Sequence, residues 1–168
     1  MAKALIRASP FDGLDLAMPP LIVQAQPPRY RAIAYGDADA LETALGLSLP
    51  RSACRAASTN GIDALWLGPD EFLLLANHPL TAEGLIDISH RQAGLEISGP
   101  HAATALNTGC PLDLHPSVFP TGACTRTLFG KAEIVLWRIL PHRFHVETAR
   151  SLLPYVVGLL REAAHGVT

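Results

Sequence analysis

The residues of this chain best able to do chemistry are its seven histidines and three cysteines. The set that most invites a metal reading is His101, Cys110, His115 and Cys124. A structural zinc site usually brings its ligands in close pairs, C-x₂₋₄-C or H-x₃₋₅-H. Here the steps are 9, 5 and 9 residues, so that pairing is missing, and His142 with His145 straddles a turn and a strand. These histidines read as turn and surface residues. A cysteine nucleophile needs a lowered pKa and a base. Cys54 and Cys124 fall inside predicted strands at matched positions of an internal repeat, where cysteine packs as a small apolar residue. Cys110, in the Gly109-Cys110-Pro111 turn, is the thiol expected to be reachable, and no base accompanies it. The odd count of three suits reduced thiols in a cytoplasm better than a disulfide framework.

Phosphate-cradling loops are absent from the sequence. There is no G-x-G-x-x-G, and the Gly94 to Gly99 spacing lacks the Lys and Ser/Thr of a P-loop. No G-x-S-x-G elbow occurs either. Glu133 and Glu147 lie on adjacent predicted strands, where cross-strand pairing with Arg138 or Arg143 accounts for them. No catalytic, cofactor-binding or metal residue is assigned on these grounds. One polar stretch stands out, Asp87-Ile88-Ser89-His90-Arg91-Gln92. Its residues favour turns, which makes it a capped connection; the functional reading is a loop that meets an anion or a partner chain. Asp87, Ser89, His90, Arg91 and Gln92, with Cys110, are the candidate partner contacts.

The elements that carry these residues follow from composition and punctuation. The chain has 168 residues, 49% hydrophobic and 17% charged, against an ordinary charged share of about 25%. That predicts a cored protein with a surface poor in charge, as at interfaces whose centres lose Lys, Glu and Asp. A net charge of −2 with scattered basic residues leaves nucleic-acid binding without its main source of affinity. Apolar runs such as Leu152 to Leu160 are too short to span a bilayer. Arg7, Asp12 and Asp15 interrupt any signal-peptide core at the start, and the expected location is cytoplasmic.

Pro10, Pro19, Pro20, Pro27 and Pro28 make residues 1–28 a proline-rich arm, with Leu21 to Val23 as one short edge strand. Tyr30 to Tyr35 alternates as a strand, and Asp37 or Asp39 caps a helix with Ala40, Leu41, Ala44 and Leu45 as its apolar stripe. Ser52–Ala57, Ile62–Leu67 and Glu71–Ala76 read as strands. The order then recurs: strand Gly94–Ser98, a short helix through Ala102, Ala105 and Leu106, and strands Gly122–Phe129, Ala132–Ile139 and Arg143–Glu147. A last helix buries Leu152, Leu153, Val156, Leu159 and Leu160. Landmarks match at rising offsets: Gly36 with Gly99 at 63, Cys54 with Cys124 at 70, Trp66 with Trp137 at 71, Phe72 with Phe144 at 72. The expected fold is α+β, with two repeated βαββ (ferredoxin-like) units of antiparallel sheet and a C-terminal helix. The units span 29–84 and 85–168, in one compact two-lobed chain.

Several stretches in fixed order carry a family resemblance. They are Ala64 to Leu74 (ALWLGPDEFLL), Asp87 to Gln92 (DISHRQ), Ile97 to Ala102 (ISGPHA), Gly109 to Leu114 (GCPLDL), Cys124 to Thr127 (CTRT) and Lys131 to Arg138 (KAEIVLWR). Together they resemble the sarcosine oxidase gamma subunit family from about Gly61 to Leu160. The Ser98-Gly99-Pro100 opening of the second unit is also similar to the folate-binding region of the glycine-cleavage aminomethyltransferase. The resemblance implies a non-catalytic structural subunit of a heterotetramer with alpha, beta and delta chains. Such an assembly oxidatively demethylates sarcosine to glycine, with hydrogen peroxide and a one-carbon unit passed to tetrahydrofolate. It places FAD, FMN and NAD in alpha and beta and zinc in delta, with no cofactor in gamma. Such a subunit is expected to be apolar on one face and to lack a ligand-sized pocket. The alternative is a stand-alone folate-binding or one-carbon-transfer protein, with Glu83, Glu96 or Glu133 as the pterin's carboxylate.

Overall fold

The structure, a computed structural model, describes residues 8–167. Met1 to Arg7, the start of the expected arm, lie outside the described residues. In chain order the elements are β1 (Ala17–Met18), β2 (Leu21–Ala25), β3 (Tyr30–Tyr35), α1 (Ala38–Leu45), β4 (Ala56–Thr59), β5 (Ile62–Gly68) and β6 (Glu71–Ala76). There follow β7 (Leu85–Asp87), β8 (Gln92–Ser98), α2 (Ala102–Asn107), β9 (Cys124–Phe129), β10 (Ala132–Leu140), β11 (Arg143–Ala149) and α3 (Leu153–His165). The class is α+β, with two antiparallel sheets and a C-terminal helix.

The first sheet runs β4-β5-β6-β3-β7 and the second β1-β2-β8-β11-β10-β9. Each contains the same series of strand, helix and three-strand meander: β3, α1, β4, β5, β6 in one and β8, α2, β9, β10, β11 in the other. The strand that precedes each series joins the opposite sheet. β2 precedes β3 but pairs with β8 (Val23 opposite Ile97), and β7 precedes β8 but pairs with β3 (Ile86 opposite Ile33). The proline-rich segment thereby enters the core through Met18, Leu21 and Val23.

The packing has four layers. α1 covers one face of the first sheet, with Leu41 on Ala34, Phe72 and Leu74. α2 and α3 cover the far face of the second sheet, burying Leu106, Val156 and Leu160 against Ile97, Phe144 and Val146. Between the sheets lie Leu65, Leu73, Leu75, Cys124 and Trp137. Asp37 caps α1 by accepting from the Asp39 and Ala40 amides at 3.0 and 3.1 Å, as expected of an N-terminal carboxylate. Its buried stripe differs from the expected one: Ala40 and Ala44 are exposed, and Leu41 is flanked by Ala38 and Leu45 at helical spacing. In the last helix Leu152 is exposed at the N-cap, and burial starts at Leu153.

Two readings of the repeat are corrected. Cys54 is in a turn rather than a strand, exposed, at φ 57°. The chain there leaves the first sheet to bridge the second, with Arg55 paired to Ala123 and the Cys124 amide donating to the Cys54 carbonyl at 2.9 Å. The strand therefore starts only at Ala56. Trp66 and Trp137 are not equivalent positions. The β5–β6 and β10–β11 hairpins superpose in register at an offset of 72 (134 against 62, 148 against 76). Trp66 thus corresponds to Arg138, and it packs on the α1 side, whereas Trp137 packs between the sheets.

Candidate functional site

Side chains alternate between the two faces of a strand. On β8 and β11, Leu95, Ile97, Phe144 and Val146 point toward α2 and α3. Gly94, Glu96, His145 and Glu147 therefore face the first sheet, and Arg31 on β3 faces them. The layer between the sheets is thus apolar in one part and charged in another. Arg31 Nε donates to Glu147 Oε2 at 2.7 Å, and His145 Nε2 lies 2.8 Å from Glu147 Oε1. The exposures are 5%, 1% and 3% for the Arg31, Glu147 and His145 side chains. Trp137 sets its edge against the His145 ring, centroids 6.1 Å apart. Burial works against the Glu147 charge, but the bond and charge of His145, with Arg31, outweigh it and hold the carboxyl below its ordinary value. The expected pairs of Glu133 and Glu147 with Arg138 or Arg143 do not form. Arg143 binds Glu96 at 2.8 Å, while Arg138 donates to the Leu114 and Pro141 carbonyls and stacks on Phe144.

Beside this cluster opens a groove of about 900 Å³, against the expectation of no ligand-sized pocket. Its lining includes Gly94, Arg31, Arg29, Tyr30, Pro27 and Pro28, with Phe11 of the proline-rich segment and Arg150. A side chain at Gly94 would displace the ion pair. A Cβ would lie 2.6 Å from Glu147 Oε1 and 2.9 Å from Arg31 Nη2. Arg29 is bound beneath by Asp63 and the Leu75 carbonyl, both at 2.7 Å. His145 and Glu147 are sealed below. A general base has to reach the proton it abstracts, so the cluster is built to hold two sheets together rather than to move protons for a ligand.

The polar stretch crosses from β7 to β8 and is tied at each step. The Ile88 amide donates to the Arg31 carbonyl at 2.9 Å, Ser89 Oγ accepts from the Arg31 amide at 2.9 Å, and the Arg150 amide donates to the Arg91 carbonyl at 2.9 Å. Asp87 accepts from the Ser89 amide at 2.8 Å, and its bonds to Ser89 hold its carboxyl below the ordinary value. Asp87, Ser89, His90 and Gln92 line the groove; Arg91 is exposed outside its lining. Cys110 is not with them. It is buried on the helix side of the second sheet, Sγ 3.8 Å from Thr127 Oγ1, so the thiol expected to be reachable is 6% exposed. Its turn is closed by the Gly130 amide donating to the Gly109 carbonyl at 2.9 Å. The exposed thiol is Cys54, and burial pushes Cys124 up to about 12. Glu83, Glu96 and Glu133 are not in the groove lining. Among the described residues no three His, Cys, Asp or Glu side chains group as metal ligands, and no helix is long and apolar enough to cross a membrane.

Sequence reading did not bring Arg31, Gly94, His145, Glu147 and Arg150 together, and it took His145 for a turn or surface histidine where the structure buries it. A signal was present in Arg143-Phe144-His145-Val146-Glu147. Its alternation reads as a strand with one wet face, and the wet face is instead covered by the first sheet.

The sequence model of the family described as "Sarcosine oxidase, gamma subunit family" matches residues 29–165. The sarcosine oxidase subunit gamma of Corynebacterium sp. (strain P-1) is 34% identical over 137 residues, covering 74% of this chain and 68% of that protein. The protein of the same name from Arthrobacter sp. is 37% identical over 128 residues, covering 64% of this chain and 63% of its own. The matched region thus spans about two thirds of these relatives. Among solved structures, a chain of "Heterotetrameric Sarcosine Oxidase from Corynebacterium sp. U-96 in complex with pyrrole 2-carboxylate" superposes with a TM-score of 0.85 at 27% identity, covering 96% of both chains.

Proposed function

This chain belongs to the sarcosine oxidase gamma subunit family, and from that premise we propose that it is the structural gamma subunit of a heterotetrameric sarcosine oxidase. In this reading the chain is non-catalytic. It stands with alpha, beta and delta chains in an assembly that demethylates sarcosine to glycine, releases hydrogen peroxide and passes the one-carbon unit to tetrahydrofolate. FAD, FMN and NAD sit in alpha and beta, zinc in delta, and the assembly works in the cytoplasm. The observation that carries the reading is the end-to-end likeness to a chain of a solved heterotetramer, 96% of each at a TM-score of 0.85. The sealed Arg31–Glu147–His145 cluster supports it, since it spends its polar groups inside the chain.

The test is co-expression of the tagged chain with the candidate large subunit. The large subunit co-purifies in constant ratio if the reading holds. Recovery of the tagged chain alone, under several salt concentrations, counts against it.

A further inference from the structure

We propose that the groove beside Gly94 is a binding site for a small organic anion, a molecule with a flat apolar body and a carboxylate head. The volume of about 900 Å³ lies within the range of about 300–1,000 Å³ in which small molecules are held. Pro27, Pro28, Tyr30 and Phe11 give the lining an apolar part fit for a ring. The charges decide the sign of the head. Arg29 and Arg31 are each paired with a carboxylate beneath, Asp63 and Glu147. Asp87, the carboxylate of the lining, accepts from the Ser89 amide and stays an anion, so a carboxylate head has its place at Arg150 and not at Asp87. Arg150 differs. Its guanidinium donates to the carbonyls of Ala8 and His90, at 3.2 and 3.5 Å, and joins no ion pair among the described residues. Those long contacts to neutral acceptors are ones a carboxylate displaces, because a charged acceptor matched to the guanidinium fork forms shorter and stronger bonds. Gly94 leaves the floor open. With no side chain there, the floor presents the Arg31–Glu147 pair, Glu147 Oε1 at 2.6 Å and Arg31 Nη2 at 2.9 Å from where a Cβ would stand, so it carries no net charge and leaves the head to Arg150.

The experiment uses the full chain, with 2-naphthoate as the probe and neutral 2-naphthalenemethanol as its control. Calorimetry gives affinity and amide NMR gives location. Expected is submillimolar binding of the acid, at least about tenfold tighter than the alcohol, with shifts at Gly94, Tyr30 and His90. Arg150→Ala weakens the acid roughly tenfold, or ~1.4 kcal/mol, and leaves the alcohol unchanged. Arg150→Lys retains part of the effect, and Arg51→Ala, outside the groove, has none. Arg150 and Arg51 are both exposed, so neither change threatens the fold. Equal affinity for acid and alcohol, indifference to Arg150→Ala, shifts elsewhere, or no heat at about 10 mM probe would each overturn the proposal.

Discussion

Glu147 is the residue on which the junction of the two sheets turns. It lies 2.7 Å from Arg31 of one sheet and 2.8 Å from His145 of its own, and all three side chains are nearly sealed from solvent. Removing one partner of a buried pair leaves the other charge uncompensated, at a cost of about 3–5 kcal/mol. Glu147→Gln is therefore expected to lose about that much in urea unfolding at pH 7. The pH dependence has a definite sign. The folded carboxyl sits below the ordinary value of 4.5, so as pH falls the unfolded chain takes up this proton first. The stabilisation is whole above about 4.5 and disappears as pH drops through the folded value. Urea midpoints of the wild type and Glu147→Gln should draw steadily together as pH falls below about 4.5. A gap that stays constant across that range would show that the Glu147 charge is not what holds the sheets.

At the scale of elements, the exchange of β2 and β7 between the two sheets is the main structural device. Deleting residues 1–28 strips β1 and β2 from the edge of β8 and loses the burial of Met18, Leu21 and Val23. Each such side chain contributes about 1.5–3 kcal/mol, against a usual total stability of about 5–15 kcal/mol. The truncated chain should show no cooperative thermal transition by circular dichroism, even though it keeps the start of the family match at residue 29. A melting temperature within a few degrees of the full chain would mean that the exchanged strand is ornamental. Most elements were legible beforehand, because alternation in Tyr30 to Tyr35 and the Gly68-Pro69-Asp70 turn are local signals. The exchange was not, since Val23 meets Ile97 across a separation in sequence that no local pattern records. For the same reason the Trp66 and Trp137 match misled. The bulges at Trp66/Gly68 and Arg138/Leu140 coincide in the two hairpins, and only the pairing register reveals it. The polar stretch was legible as a turn, but its groove was not, because its other walls come from residues near 10, 28 and 78.

The whole molecule joins two similar halves through a layer that is apolar at one part and ionic at another. Its low share of charge, 17%, accompanies exposed large side chains at Ile22, Ile86 and Val118, each more than half exposed. Such residues fit a surface that is covered in an assembly. The most direct measurement of that claim is an omission experiment. The candidate alpha, beta and delta chains are co-expressed with and without this chain, and the products are compared by native mass spectrometry and by sarcosine-dependent peroxide production. The account predicts one four-chain species containing a single 17.9 kDa chain, and loss of that species when the chain is left out. A stable, fully active oxidase of the other three chains, with this one remaining free, would contradict it.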